Sequence, residues 1–376
     1  MKNYLQYIIE YMEDKKIENE VKALGQVKYD LPLINSFVLE IEEDKSNILR
    51  SLCNLDLIHE NAKITAQMNT ARKSVNADFV NSKGFTGRGV TVAILDTGIC
   101  PTKDFVFPKN RIIAFKDFVN KNNEPYDDNG HGTHVSGIAG GNGFLSHGKY
   151  MGIAPECNFV SLKILDESGR GNSADVLAGL QWLIDNKDKY NIRAVNLSIG
   201  TKDEGGSDPL IKAVENLWES GIIVVIAAGN NGPSKSSVTS PGISRKVITV
   251  GASDDHKTVN IWGDSLVNFS GRGPTSECII KPDVIAPGAN IISCLSKNVV
   301  GQDKLKMIDG NYTTMSGTSM STPIVTGAIC LLLQKNPNLS PNDVKLRLKN
   351  STMNLNYSQN QQGWGLIDIK KFVMGE

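Results

Sequence analysis

From residue 90 onward the chain alternates short apolar, β-branched runs with stretches of helical periodicity. No other feature restricts the possible folds as much. Residues 90–95 run straight into Asp96, and further runs cover residues 158–164, 194–199, 222–228 and 247–250, each bounded by turn residues. Between and after them, residues 173–186, 209–220 and 318–334 carry helical patterns. Strands that are apolar on both faces and joined through helices predict an α/β fold. The expected form is a doubly wound, mostly parallel sheet with helices on both faces. In such sheets chemistry collects beyond the carboxyl ends of the strands. Asp96 ends one run, and Asn230 follows closely after another.

The first 65 residues have a different texture. They are rich in Lys and Glu and poor in Gly. Residues 36–42 partly alternate apolar and polar, as a half-buried strand does. Residues 44–52 read as a short helix with Ile48, Leu49 and Leu52 on one face, and residues 58–64 as a second strand or an extended tail. We therefore expect a small α+β module over 1–65 ahead of a larger unit over 66–376. No internal repeat or low-complexity tract is visible.

Forty basic and forty acidic side chains leave no formal net charge. That balance, without a long Lys/Arg run, argues against nucleic acid or an anionic membrane as partner. The apolar stretch 222–228 is far too short to cross a bilayer. Charge interrupts the N-terminal segment before a signal-type apolar region can form, so the expectation is a soluble cytoplasmic protein. The six cysteines include no Cys-x-x-Cys pair. This gives no support for a zinc site and leads us to expect reduced thiols, with Cys100, four residues after Asp96, read as an incidental buried thiol.

Three glycine-rich strings carry the chemistry. Ser319 lies in Gly317-Thr318-Ser319-Met320-Ser321-Thr322-Pro323, at the opening of a long apolar helix. There its backbone N–H points outward into a positive field, which suits a nucleophile that creates an oxyanion. Taken alone, the serine reads better as a helix cap. His131 lies in Asn129-Gly130-His131-Gly132-Thr133-His134, and a neutral imidazole can take a proton from a hydroxyl near neutral pH. His134, three residues on, has no third ligand spaced to complete a metal site and reads as a packed helix residue. Asp96, in Asp96-Thr97-Gly98, would orient the imidazole. Asp-Thr-Gly also marks aspartic proteases, but those need two carboxylates sharing a proton, and only one such string is present. Asn230, in Ala227-Ala228-Gly229-Asn230-Asn231-Gly232, offers an amide donor or a plain turn. The order Asp, His, Ser and the lack of a Gly-x-Ser-x-Gly elbow disfavour the esterase arrangement.

Taken together these strings resemble the subtilisin-type serine proteases, the subtilases. Gly87-Arg88-Gly89-Val90, Gly152-Ile153-Ala154-Pro155, Asn268-Phe269-Ser270-Gly271-Arg272-Gly273-Pro274 and Lys281-Pro282-Asp283-Val284-Ile285-Ala286-Pro287-Gly288 extend the likeness from about Gly84 to Gly365. The pattern is most similar to signal-less intracellular bacterial members. The resemblance implies a serine endopeptidase acting on proteins or peptides, with Asp96, His131 and Ser319 as triad. Asn230 and the Ser319 N–H would form the oxyanion hole. It implies that the segment holding Lys163, Gly169 and Gly171 and the segment Ser198-Ile199-Gly200 flank an extended substrate. Ala227, Ala228 and Gly229 would line the pocket before the scissile bond. No cofactor is implied for the chemistry. Many subtilases hold a structural calcium in a loop after the His helix, but here residues 141–149 have no carboxylate, and Asp104 is expected to lack partners. Residues 296–311 read as a surface loop. The N-terminal module resembles the inhibitory prodomain of the family, which implies a zymogen processed around residues 61–67 with this module in the cleft. A permanent accessory domain is the other reading. A catalytically silent regulator or binding module is the alternative to the enzyme.

Overall fold

The structure, a computed structural model, describes residues 4–31, 35–54, 57–60, 68–201, 208–299 and 307–375. The chain divides into two compact units, Met1–Thr65 and Ala66–Glu376.

In the first unit the elements are β1 (Tyr4–Glu10), α1 (Lys15–Lys22), β2 (Gln26–Leu31), β3 (Ser36–Glu42), α2 (Ser46–Leu52) and β4 (Ile58–Glu60). The strands pair in the order β2-β3-β1-β4, and each pairing is antiparallel. Tyr7 and Ile9 of β1 alternate inward and meet Phe37, Leu39 and Ile41 of β3, with Val21 and Leu49 from the two helices closing the core. Asp14 caps α1 by accepting from the N–H groups of Lys16 and Ile17. Glu18 is buried against Lys15, Lys22 and the Met12 N–H; the bonds from Lys22 and Lys15 hold its carboxyl down to about 2. The expected helix over 44–52 is split: Glu43–Lys45 forms one tighter 3₁₀ turn before α2. Of the expected strand or tail over 58–64, residues 58–60 form β4, and the rest, with the expected processing segment 61–67, lies outside the described residues.

The second unit opens with α3 (Met68–Ser74) and α4 (Ala77–Ser82) and then enters the sheet with β5 (Thr91–Asp96). Next come α5 (Lys103–Val106), β6 (Ile112–Asp117), α6 (His131–Gly140), β7 (Asn158–Lys163), α7 (Ser173–Asn186), β8 (Ile192–Leu197), α8 (Pro209–Glu219) and β9 (Ile223–Ala227). The chain continues through β10 (Ile248–Asp254), β11 (Ser265–Leu266), β12 (Val284–Pro287), β13 (Ile291–Cys294), β14 (Met307–Ile308), β15 (Tyr312–Met315) and α9 (Thr318–Lys335). It ends with α10 (Pro341–Lys349), β16 (Thr352–Met353), α11 (Gln359–Gln362), β17 (Leu366–Ile367) and α12 (Ile369–Met374).

The main sheet runs β16-β17-β12-β10-β9-β8-β5-β7-β6, with β11 attached to β10. All pairings are parallel except those of β11 and β16. Every residue of β5 is buried, as a strand covered on both faces requires. From β5 the chain goes out to β6, returns through β7, then crosses to β8 on the other side. Asp96 therefore ends the strand at which the winding reverses, where α/β sheets open a crevice. Helix α9 packs on α6 and against β8, β9, β10 and β12, while α7 and α8 pack together against β5 and β9. Local signals set the helix starts: Asn172 and Asp208 cap α7 and α8, and Ser340 forms a capping box with Asp343 before Pro341. The sequence reading did not anticipate β6 or the small sheet β13-β15-β14. Within the expected surface loop 296–311, residues 307–308 form β14 of that sheet, and residues 300–306 lie outside the described residues.

A buried ion pair ties the approach of β12 to β10. Lys281 Nζ lies 2.7 Å from Asp283 Oδ2 and donates to Thr249 Oγ1 and the Val247 carbonyl, while Asp283 Oδ2 also accepts from the Thr249 N–H. Lys281 is 0% exposed, and burial pushes its ammonium down to about 8. Asp283→Ala would leave that cation without its anion. The expected loss is about 3–5 kcal/mol of stability, read by denaturant unfolding in a Ser319→Ala background that prevents self-digestion.

Candidate active site

Helix α6 begins at a glycine that cannot cap it. Gly130, at the N-cap, has a left-handed φ of 98°, and the first N–H groups of any helix need acceptors. Asn129 Oδ1 takes the His131 N–H, and the rest of the junction is organised by Asp127. Its Oδ1 accepts from the N–H groups of Asn129 and Gly130 and from Thr97 Oγ1; its Oδ2 accepts from the Thr133 N–H and Oγ1. Thr97 Oγ1 in turn accepts from the Gly132 N–H at 2.9 Å. The end of β5 and the start of α6 are thus locked by one buried carboxylate, which is 0% exposed.

That lock places His131 on Asp96. Nδ1–H of His131 donates to Asp96 Oδ1 at 2.7 Å, and the Thr97 N–H donates to the same oxygen at 2.8 Å. An ionised carboxylate only accepts, so the proton sits on Nδ1 and the lone pair on Nε2. Asp96 is fully buried, and its Oδ2 has no hydrogen-bond partner among the described residues. Burial alone would lower the imidazole, but the charge and hydrogen bond of Asp96, with Asp127 behind them, outweigh it and raise His131 above its usual 6.5. His134 behaves oppositely. Its Nε2–H donates to the carbonyls of Ile291 and Thr313, and burial pushes it down to about 3. It is a neutral, packed helix residue.

Ser319 lies in the first turn of α9 and is partly exposed, between buried Thr318 and Met320. Its Oγ donates to the Ser198 carbonyl at 3.5 Å, and Ser198 Oγ donates to the Ser319 carbonyl at 3.3 Å. Asn230 is exposed just past β9. Its Oδ1 accepts from the Thr318 N–H and Oγ1, each at 3.0 Å. This turns the amide so that Nδ2 lies on the Gly317 side, 3.3 Å from where a Cβ on Gly317 would stand.

Gly169, Gly171, Ser198, Ile199 and Gly200 meet around one cavity of about 480 Å³, with Leu165, Val176 and Leu210 giving it an apolar wall and Arg170 at its edge. Two of the expected substrate-flanking features differ. The Lys163 side chain is 0% exposed; its Nζ donates to the carbonyls of Thr97 and Leu165 and pairs with Asp128 at 2.7 Å. It braces the site from behind, because a charged Nζ with three buried acceptors gains nothing by turning outward. Ala227 and Ala228 are buried and are not among the residues lining this cavity.

Asp104 also departs from expectation. It is fully buried, and its oxygens accept from the Leu145 N–H at 2.9 Å and the Tyr312 hydroxyl at 2.7 Å, with the Cys294 thiol at 3.5 Å. Those donors turn hydrogens toward the oxygens that a calcium ion would need, and residues 141–149 add no carboxylate. The loop does not fit calcium. Asp127 and Thr97 are the site residues that sequence reasoning passed over. The available signal was an Asp three residues before a glycine that opens a helix.

A Cβ on Gly132 would stand 2.2 Å from the Gly98 carbonyl and 3.1 Å from Asp96 Cβ. Gly132→Ala therefore forces α6 off β5 and lengthens the His131–Asp96 bond. The imidazole of His131, followed by NMR, should titrate at lower pH than in the parent, because the charge that raises it has moved away.

Residues 87–365 match the Subtilase family. The chain is 42% identical over 357 residues to serine protease AprX of Bacillus subtilis (strain 168), covering 91% of this chain and 80% of that protein. It is 33% identical to subtilisin DY of Bacillus licheniformis, covering 79% and 95%. Among solved structures it is similar to a cold-adapted subtilisin-like serine proteinase, with a TM-score of 0.58, 32% identity, and coverage of 75% and 88%. It is also similar to the S41 psychrophilic protease, with a TM-score of 0.63, 28% identity, and coverage of 75% and 92%. With the parallel sheet, these likenesses show that the chain belongs to the subtilase family and is a subtilisin-like serine endopeptidase.

Proposed function

We propose that Ser319, His131 and Asp96 form the catalytic triad and that Asn230 and the Ser319 N–H form the oxyanion hole. The observation that carries this reading is the 2.7 Å bond from His131 Nδ1 to buried Asp96, which fixes the tautomer that leaves Nε2 free as a base. Ser319 Oγ leaves the Ser198 carbonyl, gives its proton to Nε2 and attacks the peptide carbonyl carbon. The oxyanion accepts from the Ser319 N–H and from Asn230 Nδ2, which the Thr318 bonds to Oδ1 have oriented in advance. The imidazolium, stabilised by Asp96, returns the proton to the departing amine, and water then hydrolyses the acyl-enzyme by the reverse sequence. The peptide lies extended between residues 169–171 and 198–200, pairing through its backbone. This chemistry needs no cofactor.

The N-terminal unit serves as folding template and inhibitor, its tail occupying the cleft until self-cleavage around residues 61–67 releases it. A high folding barrier crossed with such a template leaves a kinetically stable product, which suits a protease exposed to itself. N-terminal sequencing should find the parent trimmed within about residues 62–68 and Ser319→Ala intact. Whole parent protein with full activity would rule out processing.

Fluorophosphonate should label Ser319 in the trimmed protein, and Ser319→Ala should show neither labelling nor peptide cleavage. Asn230→Ala should lose turnover by about 10²–10³-fold, the range seen on removing such a donor from a subtilisin. The base must be neutral to act, so kcat/KM should rise with pH through a value above 6.5. Asp96→Asn should lower activity by about 10⁴-fold. It should also move that acidic limb downward, because the carboxylate charge that raises the imidazole is gone.

A further inference from the structure

In the hairpin that folds β11 back on β10, two buried carboxylates close the paired segment. Ser253 pairs with Leu266 and Asp254 with Ser265; Asp255 directly follows the last paired residue of β10, and Asp264 directly precedes the first of β11. Asp255 is 1% exposed and Asp264 8%. Asp255 Oδ1 accepts from the Lys257 N–H at 3.0 Å, whereas Asp255 Oδ2 and both oxygens of Asp264 are buried and have no hydrogen-bond partner among the described residues.

The neighbouring charges do not neutralise the pair. Asp254, on the opposite face of the strand, accepts from the His256 N–H and lies 3.7 Å from His256 Nδ1. His256 Nε2 is engaged with Ser265 Oγ. Lys257 reaches Asp255 through its backbone N–H. Burial, reinforced by the other carboxylates, pushes Asp255 up to about 6 and Asp264 up to about 7. Ser253 Oγ, two residues earlier in β10, is likewise buried and has no partner among the described residues. An oxygen-only set with two like charges suits a hard cation, which takes carboxylate, hydroxyl, carbonyl and water oxygens.

We propose that the β10–β11 hairpin is a cation site, in which a hard divalent ion such as calcium is held between Asp255 and Asp264. Among the described residues no group of three or more His, Cys, Asp or Glu side chains is arranged to hold a metal. The remaining ligands are therefore hydroxyl, carbonyl and water oxygens. The ion would hold residues 256–263, the connection of the hairpin, to the end of β10.

The test uses the full chain carrying Ser319→Ala, at pH 8, where both carboxylates ionise. Thermal unfolding and calcium calorimetry are compared in calcium and in chelator. We expect added calcium to raise Tm in this parent. Asp255→Asn and Asp264→Asn, each added to it, should lose that rise, bind calcium at least tenfold more weakly and melt above the parent in chelator. A calcium response of undiminished size in both variants would put the ion elsewhere and overturn the proposal. So would a parent blind to calcium while the variants melt higher, since the two carboxylates would then share a proton instead. Hydrogen exchange in the parent gives a readout free of substitutions: calcium should slow amide exchange across residues 253–266, and slowing confined to other segments would also overturn the site.

Discussion

The buried carboxylate of Asp127 is the constraint on which the site depends. Its five hydrogen bonds join Thr97 at the end of β5 to the first turn of α6. Two elements that arise separately in the chain are thereby held at a separation that admits only a glycine at residue 132. The His131–Asp96 bond follows from that separation. A buried acceptor serving several donors is costly to disturb, because each donor it releases is left unsatisfied away from water. The His131–Asp96 geometry is in this sense maintained by a residue outside the pair.

Around that lock the charges are sorted by burial. Lys163 is wholly enclosed behind the site and satisfied by two carbonyls and Asp128. His131 and His134 are three residues apart on one helix yet shift in opposite directions, because Asp96 outweighs burial at His131 while burial outweighs the two carbonyls that His134 faces. Lys281 and Asp283 repeat the pattern at the base of β12. In the β10–β11 hairpin the pattern breaks: two carboxylates are buried at the end of the ladder, and three of their four oxygens have no hydrogen-bond partner among the described residues.

Much of the fold was legible in the sequence because β-rich runs and helix caps are local signals. Helix α7 falls on the expected residues 173–186, and α8 and α9 lie within one residue of expectation at their ends. Strand β6 was missed because it is the edge strand: Ile112-Ile113-Ala114-Phe115-Lys116-Asp117 is only partly buried and carries charges at its end. The small sheet β13-β15-β14 was missed because its strands are only two to four residues long, too short for periodicity to register.

At the proposed site, Asp96, His131, Ser319 and Asn230 are candidates from the chain alone, since each stands in a glycine-rich string whose order is informative. Which groups support them could not. Asp104 was expected to lack partners, yet it is satisfied by Leu145 and Tyr312, residues 41 and 208 positions away in the chain. Lys163 was expected beside the substrate and faces inward. The sequence by itself determined the class of sheet and the candidate chemical groups, because both are written in local pattern. Only the tertiary structure decided which way each polar side chain points, because that depends on acceptors brought together from distant segments and on how completely water is excluded around them.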